Sequence, residues 1–523
     1  MSDLAGQVRD GYAFEGTALD LGALVVDGRG DPGAKVRIPL GMLNRHGLVA
    51  GATGTGKTKT LQVIAEQLSA AGVPVFLADI KGDVSGMSAP GSPNEKITAR
   101  AAEIGQDWQP AAYPVEFYTL GGRGTGIPVR ATITSFGPVL LSKVLGLSDV
   151  QSSSLNLIFH FADANGLPLL DIKDLRSVIQ YLVSDEGAEQ LRSLGGLSKQ
   201  TAGVLLRELV AFSDAGADDF FGEPEFDTAD LMRTAPDGRG VASILELPGV
   251  VAQPALFSSF LMWLLADLFQ DLPEVGDIDK PKLVFFFDEA HLLFKDASKD
   301  FLESITQTVR LIRSKGVGVF FVTQTPKDVH PDVLAQLGNR VQHALRSYTP
   351  DDAKALRATA STFPHSAYDL EEVLTQLGTG EAIVTVLSEN GAPTPVAWTR
   401  LRAPQSLMGA ADAAAMTAAV QGSPLHAKYA EPVDRESAYE KLAARLALPS
   451  TGSYPQASPA PGAPPAQSYP QEGQAPRGGK EQPNMMEKVL GSSATKSFIR
   501  AAATAAGAAI ARQIFGTARR RKR

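Results

Sequence analysis

The segment GATGTGKT, residues 51–58, leaves little freedom in how the surrounding chain folds. It matches the phosphate-loop pattern G-x-x-x-x-G-K-[ST], in which glycines let successive backbone N–H groups turn toward one anion. An apolar run at Gly47–Ala50 precedes the segment, and an amphipathic pattern at Thr58–Ala71 follows it. The sequence therefore predicts a strand, a tight anion-binding turn and the N-terminus of a helix, in that order.

The side chains of this loop predict which anion it binds. Lys57 supplies a positive charge for the β- and γ-phosphates of a nucleotide and is expected to take part in catalysis, and the Thr58 hydroxyl is a ligand for Mg²⁺. We therefore expect ATP and Mg²⁺ as the cofactors. The residues predicted to bind the nucleotide are Gly51, Ala52, Thr53, Gly54, Thr55, Gly56, Lys57, Thr58 and Thr60.

A second pattern is the apolar run Leu283–Phe287, which ends in the acidic pair Asp288 and Glu289. On its own, this pattern is better explained as a strand end followed by a helix N-cap. Beside a phosphate loop, the first acid is expected to hold Mg²⁺ through water, and the second to take a proton from the attacking water. Asp288 is therefore the predicted metal residue and Glu289 the predicted general base, and His291 is expected to play a supporting role.

Polar residues follow two further predicted strands. Gln324 follows the apolar run Val319–Thr323. Because ligands bind at the carboxyl ends of strands in such sheets, Gln324 is predicted to position the attacking water. The sequence DIKGD leaves two interpretations open for Asp79 and Asp83, as active-site acids or as carboxylates that hold a turn.

Several arginines are candidates for contacting the nucleotide of a neighbouring subunit. Arg310 and Arg313 lie one helical turn apart in a predicted helix, and Arg340 and Arg346 flank a predicted short strand. Each of them taken singly is better explained as a solvated surface residue. The residue pattern alone leaves the choice open.

Strands and helices alternate along most of the chain, which predicts an α/β fold with a doubly wound, mostly parallel sheet. A helical insertion is expected at about 130–235. The low-complexity stretch rich in Pro, Gly, Gln and Ala is expected to be a disordered linker. In chain order, the predicted segments are a small β-rich lead-in at 1–45, the α/β domain at 46–405, a helical extension at 406–448, the linker at 449–484 and an Ala-rich helical tail with a basic end at 485–523.

Composition excludes several classes of function. The chain has 523 residues and no cysteine, so disulfides, thiolate metal sites and cysteine nucleophiles are ruled out. Its formal net charge of -8 argues against a broadly basic surface, although a ring-shaped motor needs positive charge only along its pore. A signal-peptide pattern and an apolar run of about 20 residues are both lacking, so we expect a cytoplasmic protein.

The motifs GATGTGKT, DIKGD, LVFFFDEAH, VFFVTQTP and LGNRVQHALR occur in this order. Together they resemble the HerA/FtsK superfamily of ring ATPases, and most closely its HerA-like, YjgR-type bacterial proteins. The resemblance covers about residues 12–405 and implies a RecA-like domain in a homo-hexamer that threads duplex DNA through a central pore. It also implies a glutamine sensor at Gln324 and a trans arginine finger, placed at Arg313 with Arg310 and Arg346 as alternatives.

The chain departs from that family in one respect. Archaeal HerA carries a sizeable β-barrel before its phosphate loop, whereas about fifty residues precede the loop here. A full barrel does not fit in that length, which puts the barrel's docking of a nuclease partner in doubt.

Three functional hypotheses follow from the sequence. The first is a DNA translocase or helicase-like motor. The second is an ATPase that acts on protein, like the related conjugation and secretion ATPases, with the basic tail at a membrane surface or a partner. The third is a nucleotide-gated scaffold with little turnover, and the presence of Glu289 and Gln324 argues against it.

Overall fold

The structure is a computed structural model and describes residues 4–191, 195–247, 254–294 and 299–447. The predicted linker at 449–484 and the predicted helical tail at 485–523 lie outside these ranges. Across the described residues, twelve strands form one sheet. In chain order the strands are β1 (Ala18–Val26), β2 (Arg29–Pro39), β3 (Gly47–Ala50), β4 (Val75–Asp79), β5 (Val115–Leu120), β6 (Ile127–Val129), β7 (Ala242–Glu246), β8 (Leu283–Phe287), β9 (Val317–Thr323), β10 (Asn339–Gln342), β11 (Glu381–Thr385) and β12 (Ala397–Leu401).

The order of strands across the sheet is β2-β1-β12-β11-β10-β3-β9-β8-β4-β7-β5-β6. Each neighbouring pair from β10 to β6 is parallel. Each neighbouring pair from β2 to β10 is antiparallel. The predicted α/β fold with a mostly parallel sheet is confirmed, and β1 and β2 of the N-terminal segment extend this same sheet.

Helices connect and cover the strands. In chain order they are α1 (Leu4–Gly11), α2 (Lys57–Ala70), α3 (Glu95–Ile104), α4 (Ile133–Val144), α5 (Asp149–Ala164), α6 (Ile172–Leu182), α7 (Asp185–Leu191), α8 (Lys199–Asp214), α9 (Pro254–Asp271), α10 (His291–Phe294), α11 (Lys299–Ile312), α12 (Pro331–Leu334), α13 (Pro350–Ala360), α14 (Leu370–Gln376), α15 (Ala413–Gly422), α16 (Pro424–Tyr429) and α17 (Ala438–Ala447). Every residue of β3, β4, β7, β8 and β9 is buried. Strands buried on both faces need helices on both sides of the sheet, as a doubly wound fold provides.

Helices α4 to α8 lie between β6 and β7, where the sequence predicted a helical insertion. The first of them begins earlier than the helical pattern suggested. Thr132 caps it by accepting a hydrogen bond of 3.1 Å from the backbone N–H of Ser135, and Gly137, with φ 76°, interrupts it. Short capped helices of this kind are hard to see in a pattern of apolar residues, since capping rather than periodicity fixes where they start.

Stacked aromatic rings hold the central strands together. Phe76 of β4 stacks on Phe285 of β8 with ring centroids 4.2 Å apart. Phe287 of β8 stacks on Phe321 of β9 at 5.5 Å. These contacts fix the strand that carries the acidic pair between its two neighbours, so the residues just beyond the three strands meet at one edge of the sheet.

Buried apolar side chains of the described residues pack between the sheet and its helices. Within the ranges given above, none of the helices is long and apolar enough to cross a bilayer.

Candidate functional site

The glycine-rich loop, residues 51–58, lies at the carboxyl edge of the sheet between the ends of β9 and β10. The backbone N–H of Gly51 donates to the Thr323 carbonyl at 3.2 Å, and that of Ala52 donates to the Ala344 carbonyl at 2.8 Å. The carboxyl ends of β9 and β10 therefore both hold the start of the loop. Its tip is exposed, so backbone groups there are accessible to a ligand.

Two glycines give the loop its shape. Gly54 has φ 81° and Gly56 has φ 114°. Residues other than glycine rarely adopt these backbone angles. Gly56 stands immediately before α2, whose first turn presents unpaired N–H groups to the loop. This arrangement forms the anion-binding nest that the sequence predicted.

The Lys57 ammonium is folded over the loop that precedes it. Its Nζ donates to the Gly51 carbonyl at 2.7 Å and to the Ala52 carbonyl at 3.2 Å. Burial lowers the pKa of Lys57, whereas the negative charges of Glu289 and Asp288 raise it. The loop lysine and both acids therefore belong to one electrostatic site, as the sequence predicted.

A buried histidine that the sequence did not single out packs against the buried side of the loop. His343, the residue after β10, is fully buried, and its Nε2 lies 2.9 Å from the Thr60 hydroxyl. A Cβ added to Gly51 would lie 2.5 Å from the His343 Cβ, so only glycine allows this packing. Burial, followed by the charge of Lys57, lowers the pKa of His343 to about 3, which keeps the imidazole neutral.

Thr60 was expected among the nucleotide-binding residues. The structure places its side chain in the buried layer between α2 and β10, hydrogen-bonded to His343. Thr58 lies on the partly exposed start of α2 and is accessible. Of the two threonines, Thr58 is therefore placed to meet a metal ion, and Thr60 supports the loop.

The acidic pair follows β8, two strands away from the loop. Asp288 is buried, and its Oδ1 accepts a hydrogen bond of 2.9 Å from the backbone N–H of Glu289. Burial, and then the charge of Glu289, raises the pKa of Asp288 to about 7. A nearby positive charge would stabilise the ionised form of this buried carboxylate, and a divalent cation would supply that charge.

Glu289 has a left-handed backbone conformation with φ 48°, which is uncommon for a residue with a side chain. Its carboxylate lies 3.0 Å from the Lys81 ammonium through Oε1 and 3.3 Å from His291 Nδ1 through Oε2. His291 therefore lies next to Glu289, but Oε2 accepts no hydrogen bond among the described residues, so the supporting role of His291 stays a prediction. Lys81 is a contact that the sequence did not reveal.

The DIKGD segment forms a turn at the end of β4. Asp79 Oδ1 accepts hydrogen bonds from the N–H groups of Lys81 and Gly82 at 3.2 and 2.8 Å, and its Oδ2 accepts one from Val84 at 2.8 Å. The sequence left two interpretations open for Asp79, an active-site acid or a carboxylate that holds a turn. The hydrogen bonds support the second. Its position also fixes Lys81 beside the acidic pair.

Gln324 is exposed and follows Thr323, whose carbonyl accepts the hydrogen bond from Gly51. The residue therefore lies directly beside the loop, at the edge where the prediction required it. Gln324 after β9, the loop with Lys57 after β3 and Glu289 after β8 therefore lie at the same edge of the sheet.

The candidate arginines divide by location. Arg340 donates to the carbonyls of Leu337 and Thr362 at 3.3 and 2.8 Å, so its guanidinium is used within the subunit. Arg310 and Arg313 are exposed near the start of β9, at the opposite edge from the loop, and Arg346 is exposed just past β10. An arginine that reaches a neighbouring subunit must be exposed, so Arg313 and its two alternatives stay predictions.

Glu246 ends β7 and pairs in register with Asp79. The side chain is buried and its Oε1 has no hydrogen-bond partner in the described part of the chain. Burial, followed by the charge of Asp79, raises the pKa of Glu246 to about 8. No pattern in the sequence indicates this residue, because only the register of β4 and β7 brings the two acids together.

Replacing Glu246 with glutamine is expected to remove part of the pH dependence of stability. Because the folded-state pKa of about 8 lies above the ordinary value of 4.5, the folded protein binds this proton more tightly, and stability falls as the pH rises between those values. Glutamine mimics the protonated form. Denaturant unfolding should show nearly equal stability near pH 4.5 and a gain of about 2–5 kcal/mol at pH 8.5, where the upper figure is the full shift and screening by solvent lowers it.

The control for this measurement is Glu371→Gln on the exposed face of α14. It should reproduce the wild-type profile of stability against pH. If Glu246→Gln also reproduces that profile, Glu246 is ionised in the folded protein and the assignment is wrong.

The fold and the site define a P-loop NTPase, since a glycine-rich anion loop and an acidic strand end occupy the same edge of a parallel sheet. The chain belongs to the Helicase HerA-like C-terminal family, whose model matches residues 25–523. Membership of the HerA/FtsK superfamily, expected from the motifs, is confirmed.

Curated relatives carry helicase names. The chain is 22% identical over 352 residues to the "DNA double-strand break repair helicase HerA" of Sulfurisphaera tokodaii, covering 67% of this chain and 64% of that protein. It is 35% identical over 118 residues to the "Probable helicase MJECL08" of Methanocaldococcus jannaschii, covering 22% of this chain and 21% of that protein. The chain thus spans less than two thirds of the length of these relatives.

Solved structures share the fold. The plasmid coupling protein TrwB, in complex with a non-hydrolysable ATP analogue, matches with a TM-score of 0.52 at 16% identity. The match covers 78% of this chain and 94% of that one. At this identity the likeness shows a common RecA-like P-loop architecture.

Proposed function

We propose that the chain hydrolyses ATP with Mg²⁺. The observation that carries the proposal is the shared edge of the sheet: the loop with Lys57 follows β3, and Asp288 and Glu289 follow β8, two parallel strands away. A nest of backbone N–H groups next to a lysine suits a triphosphate, and two adjacent acids suit a metal and a proton acceptor.

Within this proposal the residues at the site have separate roles, whereas Thr60 supports the loop. Lys57 and the loop N–H groups would bind the phosphates, Thr58 and Asp288 would hold the metal, and Glu289 would accept a proton from the attacking water. Gln324 positions that water. Mg²⁺, when bound, neutralises phosphate charge as it builds up. In the described residues, no group of three or more His, Asp or Glu side chains could bind a metal ion by itself, which fits a magnesium held mainly by phosphates and water.

The finer proposal is a homo-hexameric ring that moves duplex DNA. Family membership and the helicase names of the relatives support it. In this assembly Arg313 would reach the nucleotide of a neighbouring subunit, with Arg310 and Arg346 as alternatives. A cytoplasmic location is part of the same proposal, and cell fractionation tests it.

The test measures ATP hydrolysis with and without duplex DNA while native mass spectrometry follows assembly. We expect hydrolysis to rise on adding duplex DNA, and the rise to shrink with added salt because phosphate contacts release counterions. Hydrolysis without stimulation and without a ring would favour a protein-directed ATPase. Nucleotide binding without any turnover would favour the nucleotide-gated scaffold.

A further inference from the structure

Lys81 contacts the proposed general base. Its Nζ lies 3.0 Å from Glu289 Oε1, and His291 Nδ1 lies 3.3 Å from Glu289 Oε2. Both carboxylate oxygens therefore have a nitrogen neighbour. A carboxylate oxygen in contact with an ammonium at 3.0 Å is not available to a water molecule. Glu289 is therefore freed to receive a proton from water only when Lys81 moves to another partner.

The backbone that carries Lys81 is held by hydrogen bonds, whereas its side chain is half exposed. Asp79 fixes the turn by accepting hydrogen bonds from the N–H groups of Lys81, Gly82 and Val84. The Lys81 side chain itself is 50% exposed. A lysine ends in a compact ammonium on a flexible four-carbon stem, so it can exchange partners without moving the turn.

The ion pair between Lys81 and Glu289 is weak enough to be exchanged. Lys81 is 50% exposed although Glu289 is only 15% exposed, so water screens the lysine side of the pair. A triphosphate carries more negative charge than the single carboxylate of Glu289, and it therefore attracts the Lys81 ammonium more strongly. The position of Lys81 is suitable for such an exchange, because it follows β4 at the same edge of the sheet as the acids after β8 and the phosphate loop after β3.

We propose that Lys81 responds to the γ-phosphate: it holds Glu289 when no triphosphate is bound, and it moves to the γ-phosphate when ATP occupies the loop. The inference rests on the proposed ATP hydrolysis. In that reaction the water oxygen bonds to the γ-phosphorus while the bond to the β–γ bridging oxygen breaks, its electron pair leaving with ADP. The water proton passes to Glu289, which Lys81 has released, and Lys81 stabilises the charge on the transferred phosphoryl group.

The test compares binding of a non-hydrolysable ATP analogue and of ADP, both with Mg²⁺, to the full chain. Lys81→Met keeps the length of the side chain and removes its charge. We expect it to bind the analogue about 10- to 100-fold more weakly and to lower kcat by a similar factor, because one charged contact is lost. Its affinity for ADP should equal that of wild type. Lys81→Arg should restore part of the preference for the analogue.

The matched control is Lys35→Met. Lys35 is 42% exposed and pairs with Asp20 at 3.4 Å on the distant β2 edge, so the change should leave both affinities and kcat unaltered. Equal weakening of ADP and analogue in Lys81→Met, or unchanged kcat, would overturn the inference. If the wild-type chain binds no nucleotide, the proposed function fails. If wild type binds and hydrolyses ATP while Lys81→Met behaves identically, the role of Lys81 alone fails.

Discussion

Replacing Glu289 with glutamine is expected to lower kcat for ATP hydrolysis by about 10²- to 10⁴-fold, the usual contribution of a positioned general base. The amide has nearly the same size and can keep a contact with His291, but it cannot accept a proton from water. Nucleotide affinity should stay close to that of wild type, because the loop and Lys57 are unchanged. Single-turnover hydrolysis, measured beside equilibrium binding of ATP, separates these two effects.

The control is Glu371→Gln, an identical change on an exposed helix, which should leave kcat at the wild-type value. A Glu289→Gln chain that hydrolyses ATP at the wild-type rate would show that another group accepts the proton. Lost binding in Glu289→Gln would instead point to a disturbed loop, since the backbone at this position has an uncommon φ of 48°.

The parts of this site that the sequence predicted are those encoded by neighbouring residues. The loop at residues 51–58 is bounded by an apolar strand and a helix start, and the acids at Asp288 and Glu289 directly follow a buried strand. In each case, one short segment of sequence contains both the motif and the strand or helix that positions it. The α/β fold followed from the same local signals, because buried parallel strands are continuous apolar runs.

The parts that the sequence did not predict depend on which strands are neighbours. His343 lies beneath the loop only because β10 pairs with β3, and Glu246 meets Asp79 only because β7 pairs with β4. Nothing near either residue in the sequence indicates that pairing. The partner of Lys81 is hidden in the same way, since the turn at Asp79 and the end of β8 are about two hundred residues apart.

The DIKGD motif shows how a local pattern can leave a role undecided. An aspartate before a glycine suits a turn and, at a strand end, also suits an active site. In the structure the Asp79 carboxylate is occupied by backbone N–H groups. The turn thereby presents Lys81 to Glu289, so Asp79, the first of the two acids in the motif, holds the turn while the lysine meets the proposed chemistry.

Replacing Lys57 with alanine is expected to disable the site at the binding step as well as at the chemical step. The ammonium bonds to the carbonyls of Gly51 and Ala52, so its loss removes both a phosphate charge partner and the contacts that close the loop. We expect ATP affinity to fall about 10- to 100-fold and kcat to fall about 10²- to 10³-fold. Steady-state kinetics and direct ATP binding measure the two losses separately.

Lys354→Ala on the exposed face of α13 removes the same charge far from the loop and should leave both quantities unchanged. Because α2 and its neighbours are buried independently of the Lys57 ammonium, Lys57→Ala should keep the thermal unfolding midpoint of the nucleotide-free protein. The two variants should therefore differ: Glu289→Gln should bind ATP without cleaving it, whereas Lys57→Ala should bind ATP poorly. If Lys57→Ala keeps wild-type affinity and kcat, the phosphates do not lie in the loop at residues 51–58, and the acids at the end of β8 act on a substrate that is bound elsewhere.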